Sequence, residues 1–472
     1  MGPHHLEVLF SPENIAVFGA SEEKDSVGSR VFQNLVKAGF RGALYPINPK
    51  HKKIHGYRCY KDLAEVDTAV ELAVIATPAV TVLDIMRSCG EHGVAAAIVL
   101  SAGFREVGGQ GERLEQSLAN TARHYGIHML GPNCLGLMRP GIGLDATFLD
   151  TFASNGRLAL VSQSGALCTA ILDWSKPHQL GFSTVVSLGN AVDVDFGDIL
   201  DYLVIDHNTD AILLYAEGVH DARAFMSGLR SAARAKPVIV LKAGRHKKGS
   251  LAAATHTGAM IGSDDAFDAA LERAGVVRAM TFGQLFAAAA ILSSGKRVRG
   301  NRLAIVTNGG GPGVLATDRA GDLCVKIAKL SPETIKTLDK TLPKHWSHNN
   351  PVDILGDTPP EKYGEAVTAC LKDPNVDGVL ALLTPQAMSG PKEAAQAVID
   401  AASKHGGKPV ITCWMGETKV REARALFSAN NIPSFLTPER AIEAFAYLCH
   451  YQRNQQLLLQ TPGPLTDSRQ PD

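Results

Sequence analysis

The 472-residue sequence contains no apolar run of about 18 residues, which excludes a membrane-spanning helix, and Met1 to Phe10 lacks the charged and apolar blocks of a secretory signal. It has no excess of either charge: Lys plus Arg and Asp plus Glu stand at 47 each, so no global field draws the chain to nucleic acid or to an anionic membrane. Any anion it binds must be held locally. Its eight cysteines (Cys59, Cys89, Cys134, Cys168, Cys324, Cys370, Cys413 and Cys449) are at least 30 positions apart, which provides neither a close-spaced zinc pattern nor a small disulfide scaffold. No metal site is expected on the chain itself, and a reducing cytoplasm fits this cysteine usage. A G-x-G-x-x-G fingerprint is also missing from the first strand-turn-helix segment, so a plain dinucleotide site is disfavoured.

What is present is a 45% hydrophobic, 20% charged composition with length enough for three domains of about 150 residues. Short apolar runs alternate with longer helical patterns: IAVFGAS (15–21), ELAVIATP (71–78), AAIVLSAG (96–103), RLALVSQSG (157–165). Strands buried on both faces read as near-continuous apolar stretches, so this rhythm predicts α/β domains built on parallel sheets. Several runs end in small or polar residues, which places candidate ligand loops at the carboxyl edges of the sheets.

The second and third parts of the chain repeat one another. GRLALVSQSGAL (156–167) matches NRLAIVTNGGGPGVL (301–315), SLGNAVDVD (187–195) matches HNNPVDI (348–354), NTDAILLYAEG (208–218) matches NVDGVLALLTP (375–385), and AARAKPVIVLKAGR (232–245) matches ASKHGGKPVITCWMG (402–416). The order is the same and the offset grows along the chain, as loop insertions would make it. Two related domains are therefore expected after a distinct first one, with boundaries at 6–140, 141–296 and 297–460. The remainder, 461–472, reads as a tether or a frayed terminus.

Four clusters carry candidate chemistry. In the first domain Gly19, Ala20 and Ser21 form a small-residue turn before a helix starting near Val27, an arrangement that lets a phosphate approach free N–H groups. YPINPK (45–50), IATPAV (75–80), LSAGF (100–104) and LGPNCLG (130–136) follow strands of the same domain, with Lys50, Thr77 and Asn133 as polar groups. Ser162, Ser164 and Gly165 in the second domain, and Asn308 with Gly309, Gly310 and Gly311 in the third, precede helices as candidate anion cups. Between these cups lies His256 in the small-residue run AAATHTGA; it reads either as a solvated loop histidine or as a nucleophile for a phosphoryl group. Glu217, at the end of the run AILLY, reads either as a capping residue or as the partner of that imidazole.

Together, SPENIAVFGAS, ATHTGA, TNGGGPGV and the RNQQLL region resemble the α subunits of ADP-forming (NDP-forming) acyl-CoA synthetases, in the succinyl-CoA synthetase superfamily, over nearly the whole chain. The resemblance implies a Rossmann-like CoA-binding domain followed by two flavodoxin-like ligase domains. It implies that coenzyme A or acyl-CoA is held by Gly19, Ala20, Ser21, Gly28, Asn48, Pro49, Lys50, Thr77, Pro78, Ala102, Gly103 and Asn133. His256 is then the phosphohistidine, Glu217 supports it, and Ser162, Gln163, Ser164, Gly165 and Asn308 to Gly311 receive the phosphate. An acid-thiol ligase of this kind interconverts acyl-CoA, phosphate and ADP with a carboxylic acid, CoA and ATP through an acyl phosphate. No ATP-grasp module follows residue 460, so the ADP/ATP and Mg²⁺ sites belong to a β subunit or a fused C-terminal domain, and the resemblance implies an oligomer. The same arrangement fused to an ATP-grasp part and a GNAT domain occurs in protein lysine acetyltransferases, where the synthetase-like part is an acyl-CoA sensor; the intact His256 favours chemistry over that alternative.

Overall fold

The computed structural model of the chain describes residues 4–177, 180–246, 248–249 and 263–459. The chain divides into two compact units, residues 1–270 with 278–293, and residues 271–277 with 294–472. Among the described residues no helix is long and apolar enough to cross a membrane.

The first unit holds two large sheets and a small antiparallel pair, Lys53–Ile54 with Tyr57–Arg58. One has five parallel strands in the order Ala43–Ile47, Asn14–Phe18, Leu72–Ile75, Ala96–Val99, His128–Leu130. Asn14–Phe18 and Leu72–Ile75 are buried at every position, which explains why they read as unbroken apolar runs rather than as alternating ones. Helices Val27–Lys37, Ala79–Glu91 and Gln110–Tyr125 make the crossovers. The chain order reverses between Asn14–Phe18 and Leu72–Ile75, so their carboxyl ends open a crevice at a topological switch point.

The other sheet includes, side by side, Val238–Lys242, Ala211–Ala216, Asn155–Ser162, Phe182–Ser187, Gly136–Arg139 and Leu144–Thr147. The last two form an antiparallel hairpin, and Gly136–Arg139 pairs antiparallel with Phe182–Ser187. The expected division at residue 140 falls at the turn Pro140–Ile142 of this hairpin. Both sheets lie in the one compact unit, so the chain passes from the first to the second without a spacer.

The second unit has parallel strands in the order Lys326–Ile327, Arg302–Thr307, Gly378–Leu383, Val410–Trp414, Ser434–Phe435, with Val352–Asp353 also paired to Arg302–Thr307. Its core is dominated by Trp346, Tyr363, Trp414 and Phe427.

The repeat seen in the sequence recurs bond for bond. Arg157 makes a forked pair with Asp210, and Arg302 makes the same fork with Asp377, its Nε and Nη2 each 2.9 Å from one carboxylate oxygen. The backbone N–H of each aspartate donates to the carbonyl of its arginine at 2.7 Å. In the KPV segments Lys236 Nζ donates to the Asp206 carbonyl at 2.6 Å, and Lys408 Nζ donates to the Asp373 carbonyl. The two sheets therefore share connections as well as pattern.

Candidate functional site

The crevice of the five-stranded sheet is shaped by two glycines. Gly19 has a φ of +81°, and a Cβ there would stand 2.6 Å from the Ala76 carbonyl oxygen. A Cβ on Gly28 would stand 1.9 Å from the Gly19 carbonyl oxygen, so the helix Val27–Lys37 starts hard against the turn only because residue 28 has no side chain. The nine-residue spacing that defeats the dinucleotide fingerprint thus closes the same kind of contact in space. Ser26 caps this helix by accepting from the Ser29 N–H at 3.2 Å. Asn48 donates to the Ala20 carbonyl at 2.8 Å and accepts from the Lys50 N–H at 3.0 Å, which makes it a brace for the turn; Pro49 and Lys50 are exposed beside it. Ser21 is buried and accepts from the Glu23 N–H at 2.9 Å.

The second sheet contributes the turn after Asn155–Ser162. Ser162 Oγ donates to the Ser164 carbonyl and accepts the Ser164 N–H, and Ser164 Oγ caps the helix Gly165–Ser175 at the Leu167 N–H. Gln163 is held by its neighbours: its amide donates to the Gly218 carbonyl at 2.8 Å, and its oxygen accepts from the N–H groups of Glu217 and Gly218 at 2.6 and 3.0 Å. This fastens the end of Ala211–Ala216, where Glu217 is buried. The Tyr215 phenol bonds the Glu217 carboxylate; burial first, and that carboxylate second, push the phenol pKa well above its usual value.

In the second unit the same turn is built from Thr307 and Gly309, with Asn308 in the place of Gln163. Thr307 Oγ1 donates to the Gly309 carbonyl at 2.9 Å and accepts its N–H at 3.2 Å. Asn308 donates to the Thr384 carbonyl at 2.9 Å and accepts the Thr384 N–H at 2.8 Å. The helix Gly310–Asp322 has no side-chain cap; a Cβ at Gly311 would meet nothing within 4 Å, whereas one at Gly310 would stand 3.4 Å from an Asp353 carboxylate oxygen. None of these three glycines has a positive φ; their smallness serves access rather than backbone geometry.

A cavity of about 800 Å³ in the first unit gathers several predicted residues. Thr77, Pro78, Ala102 and Asn133 line it from the first sheet, as does Val27 at the start of its helix, and Gln163, Ser164 and Gly165 line it from the second. Three helix starts thus border one space: Val27, Gly165 and, through its N-cap Pro78, Ala79. Gly19, Ala20, Ser21, Gly28, Asn48, Pro49, Lys50 and Gly103 are not among the residues that line it, and Ser162 is fully buried. His256 lies outside the described residues.

Residues that the sequence reading missed complete the wall. Arg105 donates to the Asn190 carbonyl, and its Nε is 3.5 Å from Glu115. Asn190 donates to Glu115 at 2.6 Å and to Glu106 at 3.0 Å, which ties the SLGNAVDVD segment to the loop after Ala96–Val99. Burial works to raise the Glu106 pKa, but hydrogen bonds from Asn190, Gly103 and Phe104 outweigh it and hold the carboxyl below its usual range. His220 Nδ1 is 3.9 Å from Asp195. Burial, with Arg105 nearby, lowers the His220 pKa, and burial pushes Asp195 up to about 6. Phe148 and Leu149 add an apolar stretch. The only signal for Asn190 was the repeated segment it sits in; Arg105, His220, Phe148 and Leu149 had none. The cavity combines a guanidinium, three helix starts and apolar side chains, which suits a ligand with anionic groups and a small apolar end.

Residues 13–140 match the CoA binding domain family, 155–292 the succinyl-CoA ligase like flavodoxin domain, and 303–458 the ligase-CoA domain. The chain is 42% identical to acetate–CoA ligase [ADP-forming] I of Archaeoglobus fulgidus over 95% of its own length, and spans 64% of that relative. It is 38% identical to the α subunit of acetate–CoA ligase [ADP-forming] I of Pyrococcus furiosus, covering 95% of this chain and 98% of the relative. A structure of the dinucleotide forming acetyl-coenzyme A synthetase 1 of Ca. Korarchaeum cryptofilum, in complex with phosphate and ADP, superposes with a TM-score of 0.92 at 36% identity, covering 97% of this chain and 99% of that one. By its succession of domains and its likeness along almost the full length of a separate α subunit, the chain belongs to the ADP-forming acetate–CoA ligase α-subunit family.

Proposed function

We propose that the chain is the CoA-binding and phosphohistidine-bearing component of an ADP-forming acyl-CoA synthetase. The observation that carries this reading is the single cavity bordered by the helix starts at Val27 and Gly165, one from the CoA-binding sheet and one from the ligase sheet. Each start offers unsatisfied N–H groups and a positive dipole end to an anion. In this reading the first seats a phosphate of coenzyme A and the second holds the phosphoryl group of the acyl phosphate.

The chemistry then divides into transfers that each need positioning and charge neutralisation. Phosphate attacks the thioester carbonyl of acyl-CoA, the C–S bond breaks, and CoA leaves with an acyl phosphate formed. The His256 imidazole takes the phosphoryl group, releasing the carboxylate, and passes it to ADP on an ATP-grasp partner, either a β subunit or a fused domain, which also carries Mg²⁺. Glu217 orients the imidazole through its other ring nitrogen, its own carboxylate held by burial and by Tyr215. The bare helix start at Gly310 serves as a second phosphoryl seat. Eight free cysteines suit a reducing compartment, and we place the protein in the cytoplasm. The acetyltransferase-fused sensor reading gains no support from the relatives, whose names are those of CoA ligases.

Incubation with the ATP-grasp partner, Mg²⁺ and γ-labelled ATP is expected to place acid-labile label on this chain and none on the His256→Ala variant. Equal labelling of the two, or none on the wild type, would refute the reading.

A further inference from the structure

The apolar stretch of the cavity wall rests on a backbone fixed by buried hydrogen bonds. Phe148 and Leu149 follow the edge strand Leu144–Thr147 and line the cavity. The backbone around them is clamped by buried polar groups. Asn34, from the helix Val27–Lys37, donates both amide hydrogens, to the Thr147 carbonyl at 2.9 Å and to the Leu149 carbonyl at 2.7 Å. Asp145 accepts from the Thr147 N–H at 3.2 Å and from its hydroxyl at 2.7 Å. Asn34, Asp145 and Thr147 are at most 5% exposed, so these bonds are made away from water and opening the loop would leave the groups unsatisfied. Residue 148 is thus held from both sides by carbonyls that cannot shift without breaking buried hydrogen bonds.

Small groups of the ligase helix line the same space: Gly165, Ala166 and Thr169. Leu135 closes on its start, since a Cβ on Gly165 would stand 3.3 Å from the Leu135 Cβ. A cavity of about 800 Å³ is ordinary for one extended cofactor-sized ligand and leaves little room beyond it. A wall that yields would repack around larger guests; a wall that is fixed selects by size, because overpacking forces strain.

We infer that Phe148 and Leu149 form the wall of this cavity that selects acyl groups by size, and that Asn34 is the residue positioning them. The inference rests on the acyl-CoA reading given above and deepens it. Relatives named for acetate, for 4-hydroxybutyrate and for trans-feruloyl-CoA show that acyl group is a property that varies around this fold.

The test is calorimetric binding of CoA, acetyl-CoA, butyryl-CoA and benzoyl-CoA to the full chain, with folding of each variant checked by thermal unfolding. The wild type is expected to bind acetyl-CoA and butyryl-CoA within about threefold of CoA and benzoyl-CoA at least tenfold more weakly. Phe148→Ala lowers the ratio of the benzoyl-CoA to acetyl-CoA dissociation constants at least tenfold. Asn34→Leu, which removes both donors at similar volume, lowers the same ratio, and Phe148→Trp moves it the other way by weakening butyryl-CoA relative to CoA. An unaltered ratio in Phe148→Ala and Phe148→Trp, with CoA still bound, overturns the wall assignment alone. A wild type that binds benzoyl-CoA as tightly as acetyl-CoA overturns selection by size. Failure of the wild type to bind CoA at all overturns the acyl-CoA reading on which both stand.

Discussion

Asp145 is a carboxyl placed where water does not reach: it is 3% exposed, and burial pushes its pKa up to about 7 against the pull of its hydrogen bonds from Thr147. An unfolded chain releases this proton near pH 4, so between pH 4 and 7 the folded form binds the proton that the unfolded form has lost. The stability from this group is complete below the unfolded pKa and is lost as pH rises through the folded one. On the order of 2–4 kcal/mol should vanish over that window. Asp145→Asn keeps an acceptor for both Thr147 donors and removes the titration. Urea unfolding across the range is expected to show a flatter pH dependence for the variant by about that amount, and identical slopes would contradict the burial argument. The neighbouring case of Glu106 runs in the opposite direction because hydrogen bonds there outweigh desolvation.

At the scale of elements, the turns at Ser162–Gly165 and Thr307–Gly310 show what a motif discloses and what it hides. Small residues before a helix were readable as anion cups, since only they leave the first N–H groups clear. Their polar side chains were not equally readable. Gln163 and Asn308 looked like ligand residues, yet each has both ends of its amide engaged with the end of a neighbouring strand, 54 to 76 residues away in sequence. Gln163→Ala and Asn308→Ala are each expected to destabilise their unit by about 2–3 kcal/mol. A denaturation midpoint unmoved by either change would return that amide to the ligand side. The same distance in sequence explains the other omissions. Parallel strands announced themselves as apolar runs because both faces are covered, whereas the hairpin 136–147 depends on pairing with Phe182–Ser187, and Asn34 meets its partners more than a hundred residues later. Local pattern carries the strand; it does not carry the neighbour.

For the whole molecule, the cysteines provide a direct probe of packing. All eight are free; Cys59, Cys89, Cys134, Cys168, Cys370 and Cys413 are buried, Cys449 is half-buried and Cys324 is exposed. Burial pushes Cys89, Cys134, Cys168, Cys370, Cys413 and Cys449 up to about 12, so thiolate is scarce at neutral pH as well as shielded. Titration of the native protein with a thiol reagent should give a single fast equivalent, lost in Cys324→Ser, and eight equivalents in denaturant. A second fast equivalent that persists in Cys449→Ser would show that a buried cysteine becomes accessible on the time scale of labelling. The helix Val27–Lys37 has a further meaning for the molecule as a whole. Its first residue borders the cavity, and its Asn34, two turns on, fixes the loop that carries Phe148. In the proposed acyl-CoA reading these eleven residues serve as both dock and caliper. A lineage that swaps its preferred acid by altering the gauge end of this rod would then disturb the mooring of the thiol carrier at the other, so changes of diet in this architecture should arrive as paired substitutions rather than single ones.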